Sequence, residues 1–543
     1  MNIKYYYKKT IGGLLACMVL LLAASCDDFL AEQPSTLIDS DYVYTTEEGL
    51  KSGVVSLYKF NRDRYDTNIQ DYMGGLILPS RSDLAFNRSG YLGLIGRYQR
   101  GVSPIDLGSN FISSLFWKHY YKISSKATDI INAAEVANGI DQATKNQIIA
   151  EAKFFRAEAY FYLYRMYNNI YVSTESVTVD NAFDLILDKS SDEEILALIN
   201  SDLDFAIEHL NWDVTFGRVS KGTAKHVKAQ LALWEGDWLE AKTQALSVIE
   251  DPDSPHGLLP NTADVFKGER NHAEQLFVVQ AKDNVLGGGN TSMLNANYIT
   301  QYFHIKGIEG DVSQGGKGFS RILPNLYLLN LLAEDENDTR DDNTYFRLKY
   351  YYNDVDNLPE GKKVGDIIDI YEPITDLDNP SKTYKKYYQN LHPSCLKFAQ
   401  EDDDPNSYQQ RSNILVYRLA ETYLIAAEAI MRSGNGDPLP YINAIRERAG
   451  AAVLSNVDEQ AILDERAREL AFEGQRWFTL KRMGATVMNR QMKNYAGDGP
   501  YFPANYGGIK DPRENWQDHF INFPIFQEDL DLLGPDYPQN NGY

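Results

Sequence analysis

Cysteine is almost missing from this chain: Cys17, Cys26 and Cys395 are the only three in 543 residues. Basic charge is scarce as well, with 53 Lys and Arg against 76 Asp and Glu and a formal net charge of −23. A surface of that sign repels nucleic acid and anionic bilayers, so neither is expected as a partner. The apolar run Ile11–Ala24 is too short to span a bilayer, which takes about 20 residues. The eight histidines are scattered, and none stands four residues from another, which removes the zincin helix and the His-rich metal cluster.

Other chemistry fails on single positions. Gly310–Gly318 contains Gly-Gly-Lys-Gly, but the position six before Lys317 is Asp311, and Gly318 stands where a phosphate loop needs Ser or Thr. Asp335–Asp341 alternates oxygen side chains like a calcium loop, yet Arg340 occupies the glycine position and Phe346 that of the bidentate glutamate. A solvated acidic turn is the expectation there. No nucleophile-elbow serine is present. Neither a metal nor a cofactor is expected.

What is present begins with a leader. Residues 1–25 have a basic start, an apolar middle and small residues before Cys26, as a secretory signal does. Leu22-Ala23-Ala24-Ser25-Cys26 resembles a bacterial lipobox, in which the Cys26 thiol is acylated and becomes the new amino terminus. The alternative is an ordinary signal followed by a free thiol. Small residues and cysteine standing together favour the lipobox. Loss of Cys17 with the leader and acylation of Cys26 leave Cys395 alone, so no intrachain disulfide is possible and Cys395 reads as a core residue.

The body is organised around Thr223–Glu250. Ala224, Val227, Leu231 and Trp234 recur at helical spacing, Glu235-Gly236-Asp237 break the run, and Trp238, Ala241, Ala245 and Val248 resume it. Ala229 and Ala241 are small where the helices should cross. The turn resembles that of a tetratricopeptide repeat, and such a hairpin needs stacked neighbours. Further helices are predicted over Thr46–Arg62, Phe111–Asn138, Asp141–Tyr167 and Ser191–Leu210, the last with Ser191 and Glu194 spaced as a capping box. Tyr417–Met431, Leu439–Ala449 and Asp458–Arg482 are predicted as helices too.

Between these blocks the periodicity fails. Residues 26–45 form a tether, and 46–250 are helical around a loop at 73–110. Residues 251–410 are an irregular insertion rich in Gly, Tyr and Asn, with one strand candidate at Glu274–Gln280. Residues 411–484 return to helices, and 485–543 form a tail that wraps the surface. The fold expected is mainly α, a scaffold of helical hairpins within a single domain over 26–543, with the insertion carrying a ligand site.

Glu465, Glu469 and Glu473 recur every four residues and fall on one helical face. Two of them, such as Glu465 and Glu473, fit a glycosidase acid/base pair. Arg466, Arg468 and Arg476 are interleaved, with Arg446 and Arg448 on the preceding helix, and these favour an inter-helix charge network instead.

Several motifs in order resemble the SusD/RagB family of outer-membrane nutrient-binding lipoproteins of Bacteroidota. They are the lipobox followed by Asp27-Asp28-Phe29-Leu30; Ala152-Lys153-Phe154-Phe155-Arg156-Ala157; Arg418-Leu419-Ala420-Glu421-Thr422-Tyr423-Leu424; and Ile445-Arg446-Glu447-Arg448-Ala449-Gly450. The run Glu465-Arg466 to Arg476 and the ending Phe523-Pro524-Ile525 to Tyr543 complete the set. The resemblance implies a divergent tetratricopeptide scaffold and no catalysis. It also implies a lipid anchor (palmitate among the acyl groups) at Cys26 on the cell surface, a SusC-like TonB-dependent transporter as partner, and an oligosaccharide as ligand, with a peptide as the alternative.

Sugar rings offer apolar C–H faces and hydroxyls, so their sites pair flat aromatics with polar donors and acceptors. Two stretches have that chemistry: one with Asn87, Tyr91, Arg97 and Tyr98, the other with Asn297, Tyr298, Gln301, Tyr302 and Phe319. The starch-binding member of the family builds an aromatic arc from these two general regions, and the two stretches are expected side by side. All six tryptophans lie outside both, where core packing is the expectation.

Overall fold

The computed structural model describes residues 44–65, 75–87, 111–178, 180–267, 271–280, 294–299, 305–310, 316–341, 344–369, 373–375, 383–385, 391–399, 405–408, 413–497 and 512–543. The leader and Cys26 lie outside these residues.

Helix α1 (Glu47–Asp63) starts where the Thr46 side chain accepts the Gly49 amide at 3.1 Å. Its buried Leu50, Val54 and Leu57 face α2 (Phe111–Val136), and Gly53 lets Ile130 come close. Helix α3 (Gln142–Tyr167) is buried almost continuously from Ile148 onward, being covered by α1, α2 and α4 (Asp192–His209). The Ser191/Glu194 capping box forms as the spacing predicts. In α5 (Lys221–Glu235) and α6 (Trp238–Glu250) the turn residue Gly236 adopts φ +77, a left-handed conformation that closes the first helix, and Asp237 caps the second. Ala229, Ala241 and Ala245 pack with Ala426 and Ala429 of α9 (Leu419–Ser433), so small residues carry the close approach of three helices.

The insertion holds more regular structure than its composition predicts. Strand β1 (Ala85–Asn87), from the first loop, pairs antiparallel with β3 (Ile322–Pro324). The predicted strand is β2 (Gln275–Val279), and its partner is β4 (Ile414–Arg418), which lies in the 411–484 block read as helical and takes the first two residues of the helix predicted over Tyr417–Met431. Two short helices, α7 (Leu294–Tyr298) and α8 (Leu326–Ala333), are added. Ile299, Ile305, Ile308, Tyr350, Tyr352, Ile368, Leu391 and Leu396 form a small core of the insertion's own.

After α10 (Leu439–Arg448), the helix predicted over Asp458–Arg482 is two: α11 (Glu459–Leu470) and α12 (Arg476–Arg482). Phe472 at φ +68 and Gly474 at φ +90 break it, because the chain turns there to bury Phe472. Helix α13 (Ala485–Tyr495) lies within the stretch expected to be tail, 485–543, and buries Val487, Met488, Gln491 and Met492 on one face. Further on, the Phe523 amide donates to the Met166 carbonyl at 2.9 Å, and its ring meets Phe116 and Trp477. Trp117, Trp477 and Trp516 are buried and Trp212, Trp234 and Trp238 half-buried, in keeping with core packing. Among the described residues no helix is long and apolar enough to cross a membrane.

Candidate functional site

The two stretches with sugar-binding chemistry meet at their bases. In the β1–β3 pair Asn87 stands opposite Ile322, three residues beyond Phe319. Asp83, at the foot of the first loop, takes a bidentate ion pair from Arg476 at 2.8 and 2.6 Å, which fixes that loop to α12. Tyr91, Arg97, Tyr98, Gln301 and Tyr302 lie outside the described residues.

Phe319 is positioned by the end of α7. The Phe319, Ser320 and Arg321 amides donate to the carbonyls of Ala296, Ile299 and Asn297 at 2.6, 2.7 and 2.8 Å, satisfying acceptors that a helix end leaves open. Ser320 adopts φ +53 and is buried, so the side chains on either side of it stay half-buried. The Phe319 ring stacks on Tyr408, with centroids 4.1 Å apart and planes 9° from parallel. Arg321 lies 4.3 Å from the Phe319 centroid, and Lys317 lies 4.4 Å from that of Tyr408. The result is a half-buried pair of rings flanked by two cations, a rim of ring carbons beside N–H donors. Lys317, Arg321 and Tyr408 escaped the sequence reading. Alternation through Lys317, Phe319 and Arg321 was the available signal for two of them. Tyr408 comes from a different segment and had none.

Two expected ligand contacts have other work. Tyr298 is fully buried between Phe398 and Phe472, at 5.0 and 5.2 Å, and its hydroxyl donates to the Gly75 carbonyl. It is a core residue, because α7 turns that side inward. Asn297 is fully buried too, and its Oδ1 accepts from Arg321 at 2.9 Å. It aims the arginine and does not face solvent.

The carboxylates of α11 form the charge network, and it reaches further than the helices. Glu465 takes Arg340 and Arg446, each at 2.6 Å. Glu469 takes Arg418 at 2.6 Å, Arg340 at 3.1 Å and also Arg448. Glu473 takes Arg418 at 2.6 Å and Lys397 at 2.7 Å. Glu274, which the β2–β4 register sets beside Arg418, binds Arg418 and Arg448 at 3.0 and 2.8 Å. Asp338, with Arg340, and Glu334, with Arg468, bring the set to six carboxylates and six cations. The acidic turn around Asp335 is therefore only partly solvated. Arg340, the residue that spoils a calcium loop, is a buried hub.

Burial alone would raise the Glu465 carboxyl, but Arg340, Arg446 and Arg468 outweigh it and hold it low. Glu469 behaves likewise and sits well below the usual range because of Arg448, Arg418 and Arg340. A glycosidase acid needs the opposite shift. Cys395 is buried and unbridged, and burial pushes its thiol up to about 12. Among the described residues no cluster of three or more His, Cys, Asp or Glu could hold a metal.

Residues 271–543, which span all but about the first 20 residues of the insertion together with the network and the stretch after it, match the SusD family. The chain belongs to the SusD family. A SusD-like relative, protein P25 of Formosa agariphila, is 26% identical over 98% of this chain and 99% of its own. The solved structure of a laminarin-binding SusD-like protein shares the fold with a TM-score of 0.66 at 21% identity, covering 92% of this chain and 100% of that one. Surface glycan-binding protein A from Bacteroides thetaiotaomicron, in complex with laminarihexaose, gives 0.67 at 19% identity with the same coverage. These SusD-type structures agree with the mainly helical scaffold.

Proposed function

We propose that this chain is a non-catalytic lipoprotein of the outer membrane. Anchored at the cell surface through Cys26, it captures an oligosaccharide and passes it to a SusC-like TonB-dependent transporter. One observation carries the capture step: the Phe319–Tyr408 stack, with Arg321 and Lys317 over its rings, stands at the junction where the two sugar-suited loops are tied together. Ring carbons match the C–H faces of a pyranose, and the cations match its hydroxyls. Laminarin binding by related proteins supports a β-glucan as the first ligand to try. The absence of catalysis is supported by the network, which holds Glu465 and Glu469 ionised among arginines and ties Glu473 to Arg418 and Lys397.

The test is retention in native gels cast with laminarin, xyloglucan, starch and other glycans, with the leaderless chain as probe. Retardation by at least one glycan without release of reducing ends is expected. Phe319→Ala or Tyr408→Ala should then weaken binding about tenfold or more, equivalent to about 1.4 kcal/mol. No retardation across the panel defeats the carbohydrate reading, and release of reducing ends defeats the non-catalytic one.

A further inference from the structure

Between α3 and α4 the chain does something unusual for a soluble surface: it builds an ordered loop in order to expose apolar side chains. Phe183 is 93% exposed, Val177 66%, Leu187 63% and Leu185 57%. Leu532 of the tail, at 72%, stands two residues from Gly534, whose amide donates to the Ile186 carbonyl at 2.7 Å. The loop is held at several of its described residues. Asn132 of α2 donates to the Thr174 carbonyl at 3.1 Å and to Ser176 Oγ at 3.2 Å. Asn181 receives the Thr178 amide at 2.7 Å and donates to the Ser176 carbonyl at 3.0 Å. At the far end the Ser190 amide donates to the Ile170 carbonyl at 2.9 Å. A frame this well bonded presents its apolar residues in a fixed arrangement, as a binding surface does.

Two further observations say what covers it. The first is where the tether enters. Tyr44 accepts from Lys126 Nζ at 2.8 Å and donates to Asp129 at 3.4 Å, and Asp129 lies about one turn of α2 before Asn132. The 18 residues from Cys26 to Tyr44 span at most ~65 Å. The tether therefore joins the folded body beside this loop, about one turn of α2 from the asparagine that holds it. The second is charge. Residues 174–188 carry Glu175, Asp180, Asp184 and Asp188 and no basic residue. That pattern repels an anionic bilayer, and it repels a second copy of itself, since a two-fold contact would set the acids face to face.

We propose that the 174–188 loop, with Leu532 beside it, docks on the barrel partner, an outer-membrane protein whose facing patch is apolar and rimmed by Lys or Arg. This rests on the delivery reading above and names the surface that delivery uses. The seat is Phe183, an aromatic anchor of the type that dominates interface energetics.

The test places a photo-crosslinking phenylalanine analogue at position 183 of the full lipidated chain in its native cells, and at Leu239, 55% exposed on α6, as control. An adduct at 183, absent at 239 and identified as a β-barrel receptor by mass spectrometry, is expected. Phe183→Ser with Leu185→Ser should cut co-purification of that receptor about tenfold or more while laminarin retention and the unfolding midpoint stay unchanged, and Phe183→Leu should restore much of it. An adduct to lipid or to a second copy overturns the proposal. So does an unchanged yield from the double variant. If the unsubstituted chain brings down a barrel yet position 183 never crosslinks to it, this inference fails alone. If no barrel accompanies the unsubstituted chain, the delivery reading fails and takes the inference with it.

Discussion

Arg340 Nη1 donates to Glu465 Oε1 across 2.6 Å with neither side chain exposed, joining residues 125 apart in the chain. Through this pair the insertion is bolted to the C-terminal helices. Arg340→Met should therefore leave Asp338 and Glu465 short of their counter-charge and destabilise the protein by about 3–5 kcal/mol. Guanidinium unfolding checks it. Glu465→Gln in the same chain should recover part of the loss, because a missing pair costs less than one stranded charge. Strict additivity of the two substitutions would argue that the residues do not interact.

Acid should act on the same face. Burial by itself would raise Glu421, but the hydrogen bond from His226 and the Arg466 guanidinium bring it down to about 2 from 4.5. Glu465 and Glu469 are also depressed. A depressed folded-state pKa gives stability that is complete above the unfolded value and is lost as the pH falls through the folded one. The unfolding midpoint should thus begin to fall below about pH 6.5, where unfolded histidines take up protons that His119, lowered to about 3 by burial, does not, and fall most steeply from pH 4.5 towards 2. Glu421→Gln should lower the plateau and flatten that slope. A slope below pH 4.5 that Glu421→Gln leaves unchanged would mean that histidines, not these carboxylates, control acid stability.

Caps, turns and helical faces were legible from sequence because their causes are local: Ser191 with Glu194, Gly236, and the four-residue glutamate spacing each act within one or two turns. The network's core pairing was legible in kind, since interleaved arginines on an acidic face can only neutralise it. Its reach was not. Arg340, Lys397 and Arg418 arrive from segments with no periodic relation to α11. Strand β4 was missed for a related reason: Ile414–Arg418 runs without a break into α9, and only its pairing with β2 makes it extended. Tyr298 and Phe319 look alike in sequence, both loop aromatics near Asn and Gly. Phe398 and Phe472 bury the first, Tyr408 stacks on the second, and all three partners are distant in the chain.

That contrast separates two substitutions. Tyr298→Phe removes the hydroxyl that satisfies the buried Gly75 carbonyl and should cost about 1–3 kcal/mol of stability. Glycan affinity, measured calorimetrically on the folded fraction, should stay the same. Phe319→Ala should do the reverse, weakening affinity with little change in the unfolding midpoint, since its ring is only half-buried. Equal effects of the two on affinity would place Tyr298 back in the site.

Cys395 offers a probe of the joint between insertion and frame. Burial pushes its thiol up to about 12, against the partial relief that Lys397 gives, so almost no thiolate exists at pH 8. Its strand mate is Phe346, and Lys397, two residues on, reaches Glu473 and the Glu469 carbonyl, each at 2.7 Å. In a chain that begins after Cys26, Ellman's reagent should find no reactive thiol in the native state and one in denaturant. Slow native labelling would then report the insertion lifting from α11, since the sulfur cannot be reached otherwise. Arg340→Met should speed that labelling far more than Phe319→Ala, because only the first loosens the network. Prompt labelling of the unaltered native chain would show that Cys395 is accessible and that the insertion is not clamped as the ion pairs require.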